Sequence, residues 1–503
     1  MKSCRKARSA AFIFYLLFCS VSFAQDAKRP AFTDLGQFNY ANFLLGSREY
    51  SSAVREFSRL IENYPGSPLL PEAQFRLGES YFNSGRYKDA ASEFGRFISN
   101  YPSSPFAPVA KTLLEDSKQK AAVARLPVIA LKDADTGGAE GFLRAAQVTF
   151  FEAKNSGELD GELKRLKAHG VNTVIVRVFH NKDDRFYPLA SPKDTRGVYF
   201  KTTHAPVVDD LLSTIVSLSH KHGLKVFAWM TTRYADYGVE DDASADCEAY
   251  DLKNSVYARC KGLDLFNEKN IRRLEGIYSD LAACAIDGVL FQDDLVLRYN
   301  EGFGPHMQAR FRKETGLFIN PKDLYSTAPD SPSVQYTSLF WRWAAWKNKR
   351  LLEVAGRLRS VVKKRRPDAK FAVNLMYESI TNPASALAWL SQDLNAAVKA
   401  GFDYYSIMAY HRQMEEELEK GGHEVRGLIR EMAEGAAKTV GDPKRVLIKL
   451  QTIDWKTGEP LSNSEVVSLI RTLRSTSGVS LAVVPYRSDF PFFELGAAGA
   501  AAR

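Results

Sequence analysis

The stretch IDGVLFQDDLVL, residues 286–297, is apolar through most of its first half and then sets two carboxylates, Asp293 and Asp294, side by side. Two acids buried next to one another cannot both ionise freely, so one pKa rises and the pair holds one proton and one charge. Cleavage of a glycosidic bond needs that division: one group gives a proton to the departing oxygen and another assists attack at the sugar. Successive residues of a strand point to opposite faces, so only one of the two faces a cleft unless the chain turns there, and the other then orients a neighbour. The structural alternative is that Asp294 caps the helix that follows the strand.

A second carboxylate has to stand across the cleft, roughly 5 Å away for a nucleophile and farther for an inverting base. Glu378 is the candidate taken with Asp293 and Asp294 as catalytic; Asp454 and, behind it, Glu152 are the alternatives, all three also open to being loop acids. Aromatic faces stack on the apolar faces of pyranose rings, and Trp229, Tyr234, Tyr377, Tyr410, Trp455 and Tyr486 fall at or just past the ends of apolar runs. Such a ring of aromatics is also ordinary core filling. His204, Asn374 and Asp454 complete the candidate substrate-binding set with Trp229, Tyr234, Tyr410, Trp455 and Tyr486; His204 is equally at home in an ordered loop.

The elements that must position these residues are eight apolar runs of strand length: 147–153, 173–179, 225–231, 286–292, 370–377, 404–410, 446–452 and 481–486. Amphipathic stretches such as VDDLLSTIVSLSHKHG and NSEVVSLIRTLRSTSG lie between them, several ending on the glycine expected after a helix. Strands buried on both faces, each followed by a helix, pair in parallel, and eight of them close into a (β/α)₈ TIM barrel whose chemistry sits at the C-terminal strand ends. The fold class is therefore α/β, with a small all-α domain in front of the barrel.

GVYFKTTHAP (197–206), GLKVFAWM (223–230), GLDLFN (262–267) and DGVLFQDD (287–294) resemble, in the same order, the C-terminal barrel of the periplasmic poly-β-1,6-N-acetylglucosamine deacetylase family. AVNLMY, WLSQD, FDYYSIMAY, LQTIDW and PYRSDF extend the likeness over about residues 145–490. The resemblance implies an endo-acting glycoside hydrolase that cuts a partly de-N-acetylated exopolysaccharide of biofilms, with Asp293 and Asp294 on the family's acidic motif and Trp455 on an aromatic of its sugar groove. Gln292 stands where that family commonly has His, which puts the local proton network in doubt. The family's metal-dependent deacetylase domain has no counterpart here, so deacetylation is not expected.

Ahead of the barrel, Tyr50, Ala53, Phe57 and Tyr64-Pro65 return as Tyr87, Ala90, Phe94 and Tyr101-Pro102, each pair 37 residues apart. A Gly-x-Tyr turn between two helices, with small and aromatic residues on one face and Pro closing the unit, marks a helix-turn-helix solenoid. Residues 33–117 resemble tetratricopeptide repeats of periplasmic outer-membrane assembly proteins; they either hold a partner peptide or polymer, or only spread a surface beside the next domain. The Ala-, Lys- and Gly-rich stretch 118–143 is expected as a linker, 144–492 as the barrel and 493–503 as an Ala/Gly-rich tail.

Lys2, Arg5, Lys6 and Arg8 precede the run AAFIFYLLFCSVSFA, and Ser22-Phe23-Ala24 offers a cleavage point, so 1–24 is expected to be an export signal. A retained anchor or a lipoprotein signal on Cys19 are the alternatives, the latter opposed by bulky Phe18. The location implied is periplasmic or secreted, with outer-membrane association open and the membrane touched only through the signal. The four basic signal residues supply almost half of the +9 net charge, and what remains forms no basic blocks, so no nucleic-acid partner is expected. Cys247 and Cys260 flank a loop short enough to be closed by a disulfide in an oxidising compartment, Cys284 belongs to a helix, and no spacing suggests zinc or another metal. No cofactor is expected. Two other readings stand beside the amino-sugar hydrolase: a non-catalytic polysaccharide-binding or export scaffold, and a barrel hydrolase for a different glycan. An envelope protein at the repeats is the further expected partner.

Overall fold

The computed structural model describes residues 33–123, 141–327 and 334–496; the expected leader 1–24, most of the linker and the end of the tail lie outside the described residues. Two compact units divide the chain, one holding the described residues of 137–316 and 347–503, the other those of 29–136 and 317–346. No described helix is long and apolar enough to cross a membrane.

The first unit is built on a closed barrel of eight parallel strands: β1 (Arg144–Val148), β2 (Thr173–Arg177), β3 (Lys225–Met230), β4 (Gly288–Phe291), β5 (Lys370–Met376), β6 (Tyr404–Met408), β7 (Val446–Gln451) and β8 (Ser480–Val484). Each pairs with its chain neighbours and β8 closes on β1, with Ala145 opposite Ala482. Seven of the eight expected runs fall on these strands. The first does not: β1 occupies 144–148, because RAAQV supplies the buried stretch, and Phe150 to Ala153 lie in the loop beyond it.

Closure works because inward positions alternate. Ala145, Ile175, Phe227, Leu290, Ala372, Tyr404, Leu447 and Ala482, one from each strand, meet in one apolar cluster. Gly288 makes room for it, since a Cβ there would lie 2.8 Å from the Phe227 ring and 2.7 Å from the Lys370 carbonyl oxygen.

The strand-to-strand crossovers include α-helices at Ser156–Ala168, Leu212–Lys221, Glu268–Leu281, Leu394–Ala400, Gly422–Val440 and Asn463–Thr476. Asn155, Asn267 and Asp393 start three of them by accepting a backbone N–H two to three residues on, and Gly441 ends another in the left-handed region. All strand-to-helix loops therefore gather at the C-terminal end of the barrel.

The repeat segment of the second unit contains, among the described residues, five helices, α1 (Asp34–Gly46), α2 (Tyr50–Asn63), α3 (Leu70–Asn83), α4 (Tyr87–Asn100) and α5 (Ala107–Val123). The 37-residue period also repeats a buried polar pair that the aromatic pattern hides: Gln37 donates to Glu56 at 2.7 Å, and Gln74 to Glu93 at 3.1 Å. Arg59 and Arg96 close the same two carboxylates from the next turn, at 2.8 and 3.1 Å. Residues 317–346 pack with the repeats: the Tyr40 ring lies 4.7 Å from Trp341, and Asn39 donates to the Tyr336 carbonyl.

Gly78 on α3 lets Phe94 into the space between helices, since a Cβ there would meet that ring at 2.7 Å. Gly78→Val is expected to destabilise the repeats by about 1–3 kcal/mol through overpacking, measured as a lowered melting transition while the barrel transition stays in place.

Candidate active site

Two residues further along most strands, the inward layer changes character. Gln147, Arg177, Gln292, Asn374, Ser406 and Lys449 follow Ala145, Ile175, Leu290, Ala372, Tyr404 and Leu447 at the same parity, and all six are buried. A polar layer above an apolar floor is costly unless its groups find partners. The Gln147 amide, Gln292 Oε1, Ser406 Oγ and the Tyr410 hydroxyl have none among the described residues.

Asp294 answers the question of the adjacent acids. The chain leaves β4 at Gln292, whose N–H donates to the Met230 carbonyl, and turns at Asp293 and Asp294. The Asp294 carboxylate is wholly buried and accepts four hydrogen bonds from the end of β3: Thr231 Oγ1 at 2.6 Å, Thr232 N at 2.7 Å, Thr232 Oγ1 at 2.8 Å and Tyr234 N at 2.8 Å. Burial pushes its pKa up while these donors pull the other way. It caps no following helix; it fastens the ends of β3 and β4 together.

The turn leaves Asp293 half-buried, within electrostatic reach of Lys449 and Tyr410. Lys449, on β7, is 1% exposed, and its Nζ lies 3.3 Å from Asn374 Oδ1 and 5.9 Å from the centre of the Tyr410 ring. Burial draws the Lys449 ammonium down to about 8, and Asp293 opposes the shift. The Tyr410 hydroxyl is raised well above its ordinary value, first by burial and then by Asp293.

Tyr410 meets Trp455 edge to face at 5.3 Å, and Met376, Met408 and Val484 pack beside them. Asp454 shapes the turn that carries Trp455, accepting from Lys456 N at 2.8 Å and Thr457 N at 3.0 Å. Gln392 fixes the end of β5, donating to the Asn374 carbonyl and accepting from Met376 N. Glu378 opens the short turn Glu378–Thr381 directly after β5 and Tyr377, is 5% exposed, and lies at the same barrel end as Asp293.

The structure thus brings together Asp293, Asn374, Tyr410 and Trp455, with Asp454 behind the last. Five other expectations fare differently. His204 is exposed and packs its ring on Gly276, in the middle of the outer helix Glu268–Leu281, so it belongs to the barrel's flank. Trp229 joins the apolar interior, edge-on to Phe179 at 5.6 Å. Tyr234 acts through its backbone on Asp294, with its ring 4.6 Å from Lys261 Nζ. Tyr486 stacks on Phe492 and sits beside Phe151, and burial followed by Glu162 raises its hydroxyl pKa. Glu152 accepts from Ser488 at 3.0 Å on the surface. The sequence reading missed Lys449, Gln292, Ser406 and Gln147 as a set; the available signal was a single polar residue inside an apolar strand, at the parity of the barrel floor.

A second clasp holds the loops around Asp293. Arg233 donates to the Val296 carbonyl, to Glu301 at 2.8 Å, to the Lys261 carbonyl at 2.9 Å and to Cys247 Sγ. Cys247 is disulfide-bonded to Cys260, as expected, across an antiparallel hairpin of Asp246–Asp251 and Val256–Leu263; Cys284 is free and buried.

Residues 152–483 match the family described as hypothetical glycosyl hydrolase family 13, about two-thirds of the chain. The chain belongs to that family. It is a glycoside hydrolase, and residues 32–131 match a second family, described as an outer membrane lipoprotein. Among solved structures, the PgaB (BpsB) glycoside hydrolase domain from Bordetella bronchiseptica is 22% identical with a TM-score of 0.54, covering 69% of this chain and 95% of its own. The catalytic domain of β-amylase from Paenibacillus polymyxa is 12% identical with a TM-score of 0.46, covering 69% of this chain and 93% of its own. A search of curated proteins finds no match. The fold of this hydrolase is thus shared with the PgaB domain.

Asp294→Ala in this hydrolase leaves buried donors unmet and is expected to cost about 3–5 kcal/mol in chemical denaturation. Lys449 gives a second expectation. The folded protein releases its proton at about 8 and the unfolded chain near the ordinary 10.5, so between these values the unfolded state binds the extra proton. Stability therefore rises with pH across that window, by up to roughly 3 kcal/mol, and Lys449→Met removes the rise in melts taken from pH 7 to 10.5.

Proposed function

We propose that this hydrolase is an exported endo-glycosidase for a partly de-N-acetylated poly-β-1,6-N-acetylglucosamine, with Asp293 as the carboxyl that meets the scissile linkage. The observation carrying the reading is the position of Asp293: a half-buried acid beside the Tyr410–Trp455 aromatic pair and the Asn374–Lys449 polar pair, at the barrel end where such enzymes act. The resemblance of the sequence motifs to the poly-β-1,6-N-acetylglucosamine deacetylase barrel supports the substrate class.

In this scheme one carboxyl protonates the bridging oxygen, the C1–O bond breaks, water adds at C1 and a second carboxylate takes the water's proton. Asp293 and Glu378 are the two groups assigned, Asp294 being committed to its four donors. A glucosamine ammonium placed over Lys449 would meet a buried cation, which favours an N-acetylated sugar at that position; free amines then belong at neighbouring sugars. The repeats are assigned to an envelope protein or to the polymer itself, and the periplasm or cell exterior follows from the expected leader.

Incubation with the partly de-N-acetylated polymer is expected to release shorter oligomers, read by mass spectrometry. Asp293→Asn is expected to lower kcat by about 10²–10⁴ in a protein that still folds, as read by an intact melting transition. Binding without cleavage by the native protein would support the scaffold reading, and cleavage only of chitosan or another β-glucan would replace the substrate. Loss of the Lys449 charge predicts a basic limb in kcat/KM near pH 8, absent in Lys449→Arg.

A further inference from the structure

The hairpin Asp246–Leu263 is an insertion between β3 and its helix, so it stands at the same barrel end as Asp293. It is tied to the loop that leaves Asp293. Tyr250 N donates to the Asn300 carbonyl at 2.8 Å, and Gly302 N and Phe303 N both donate to the Glu248 carbonyl, at 2.8 and 3.0 Å. The Cys247–Cys260 disulfide clamps the two strands near their base, where Arg233 joins them to Glu301. A surface arm this well fastened holds its side chains in fixed positions.

Its outer strand carries an aromatic ring with nothing over most of it. Tyr257 is 55% exposed and Val256 beside it 50%, and Tyr257 is the one tyrosine or tryptophan among the described residues left mostly exposed. Tyr250, at 5.2 Å, and Phe303, at 6.3 Å, meet it edge to face from below and set its plane. Arg259 on the same strand is paired with Asp246 at 3.1 Å, so the exposed ring has charged but partnered company beside it.

We propose that this arm is a further sugar subsite of the cleft, in which Tyr257 stacks on a pyranose ring of the bound polymer several units from the scissile bond. The occupant is the polysaccharide chain itself, because the arm is hydrogen-bonded to the loop that begins at Asp293 and a long polymer held there runs along the barrel rim. The assignment rests on the polysaccharide reading above.

Full-length protein is assayed on a ladder of oligosaccharide lengths cut from the partly de-N-acetylated polymer. Tyr257→Ala is expected to raise KM by about threefold to tenfold on the longest chains, to leave the shortest cleaved oligomer unaffected, and to shift the product lengths. Tyr257→Phe is expected to behave as wild type. A titration of free thiols and an unchanged melt show that the clamped hairpin is intact in each variant. Equal KM for Tyr257→Ala and wild type at every length overturns the subsite alone, as does an equal rise on short and long chains. Failure of the wild-type protein to cut any length overturns the underlying substrate reading and the subsite with it.

Discussion

The buried Asp294 carboxylate governs where everything at the barrel mouth can stand. Four donors converge on it from the residues just past β3, two of them backbone N–H groups. A carboxylate taken out of water is costly, and it is tolerated here because three hydrogen bonds reach one oxygen and a fourth reaches the other. The consequence is geometric. With Asp294 drawn toward β3, the chain turns at 293–294, and Asp293 is freed from the strict alternation that would otherwise turn it away from its neighbour's side.

Arg233 extends the same logic outward. A guanidinium has five donors in a rigid fork, and this one, 1% exposed, reaches the loop after β4 through Val296 and Glu301 and the hairpin through Lys261 and Cys247. Burial works against the Glu301 charge, but Arg233 and Arg298 hold its pKa below the ordinary value. Lys347, fully buried on the helix Ser338–Arg365, donates to the Arg298 and Glu301 carbonyls of that loop. Loops with little regular structure thus obtain, from three buried ionisable side chains and a disulfide, the rigidity that a catalytic constellation needs.

The barrel and the repeats were legible in the sequence because both rest on periodicity: a count of eight apolar runs, and aromatic and small residues returning every 37 positions. The placement of β1 was less so, since QVTFFEA is as apolar as RAAQV and only the pairing of Ala145 with Ala482 decides between them. At the site, Asp293, Asn374, Tyr410 and Trp455 follow from position at strand ends. His204 could not be placed the same way, because a loop residue has no parity and its partner, Gly276, comes several elements later in the chain. The roles within the Asp-Asp pair were undetermined for a related reason: the donors that claim Asp294 come from a strand about 60 residues earlier, a separation no local pattern reports.

Lys449 shows what the polar layer means physically. A lysine in the middle of VLIKLQT would be a defect if burial alone decided, since its ammonium loses water on every side. That loss draws its pKa down to about 8, with Asp293 opposing the shift. A barrel filled only for stability would put an aliphatic side chain there, as it does two residues earlier at Leu447. The unmatched amide of Gln147, the Gln292 oxygen, and the Ser406 and Tyr410 hydroxyls repeat the pattern around the ring. Groups that cost the folded chain free energy and face one another at the active end of the barrel have a ready physical use: they supply hydrogen bonds and charge to a polar ligand that is itself losing water, so the penalty on both sides is met when they come together.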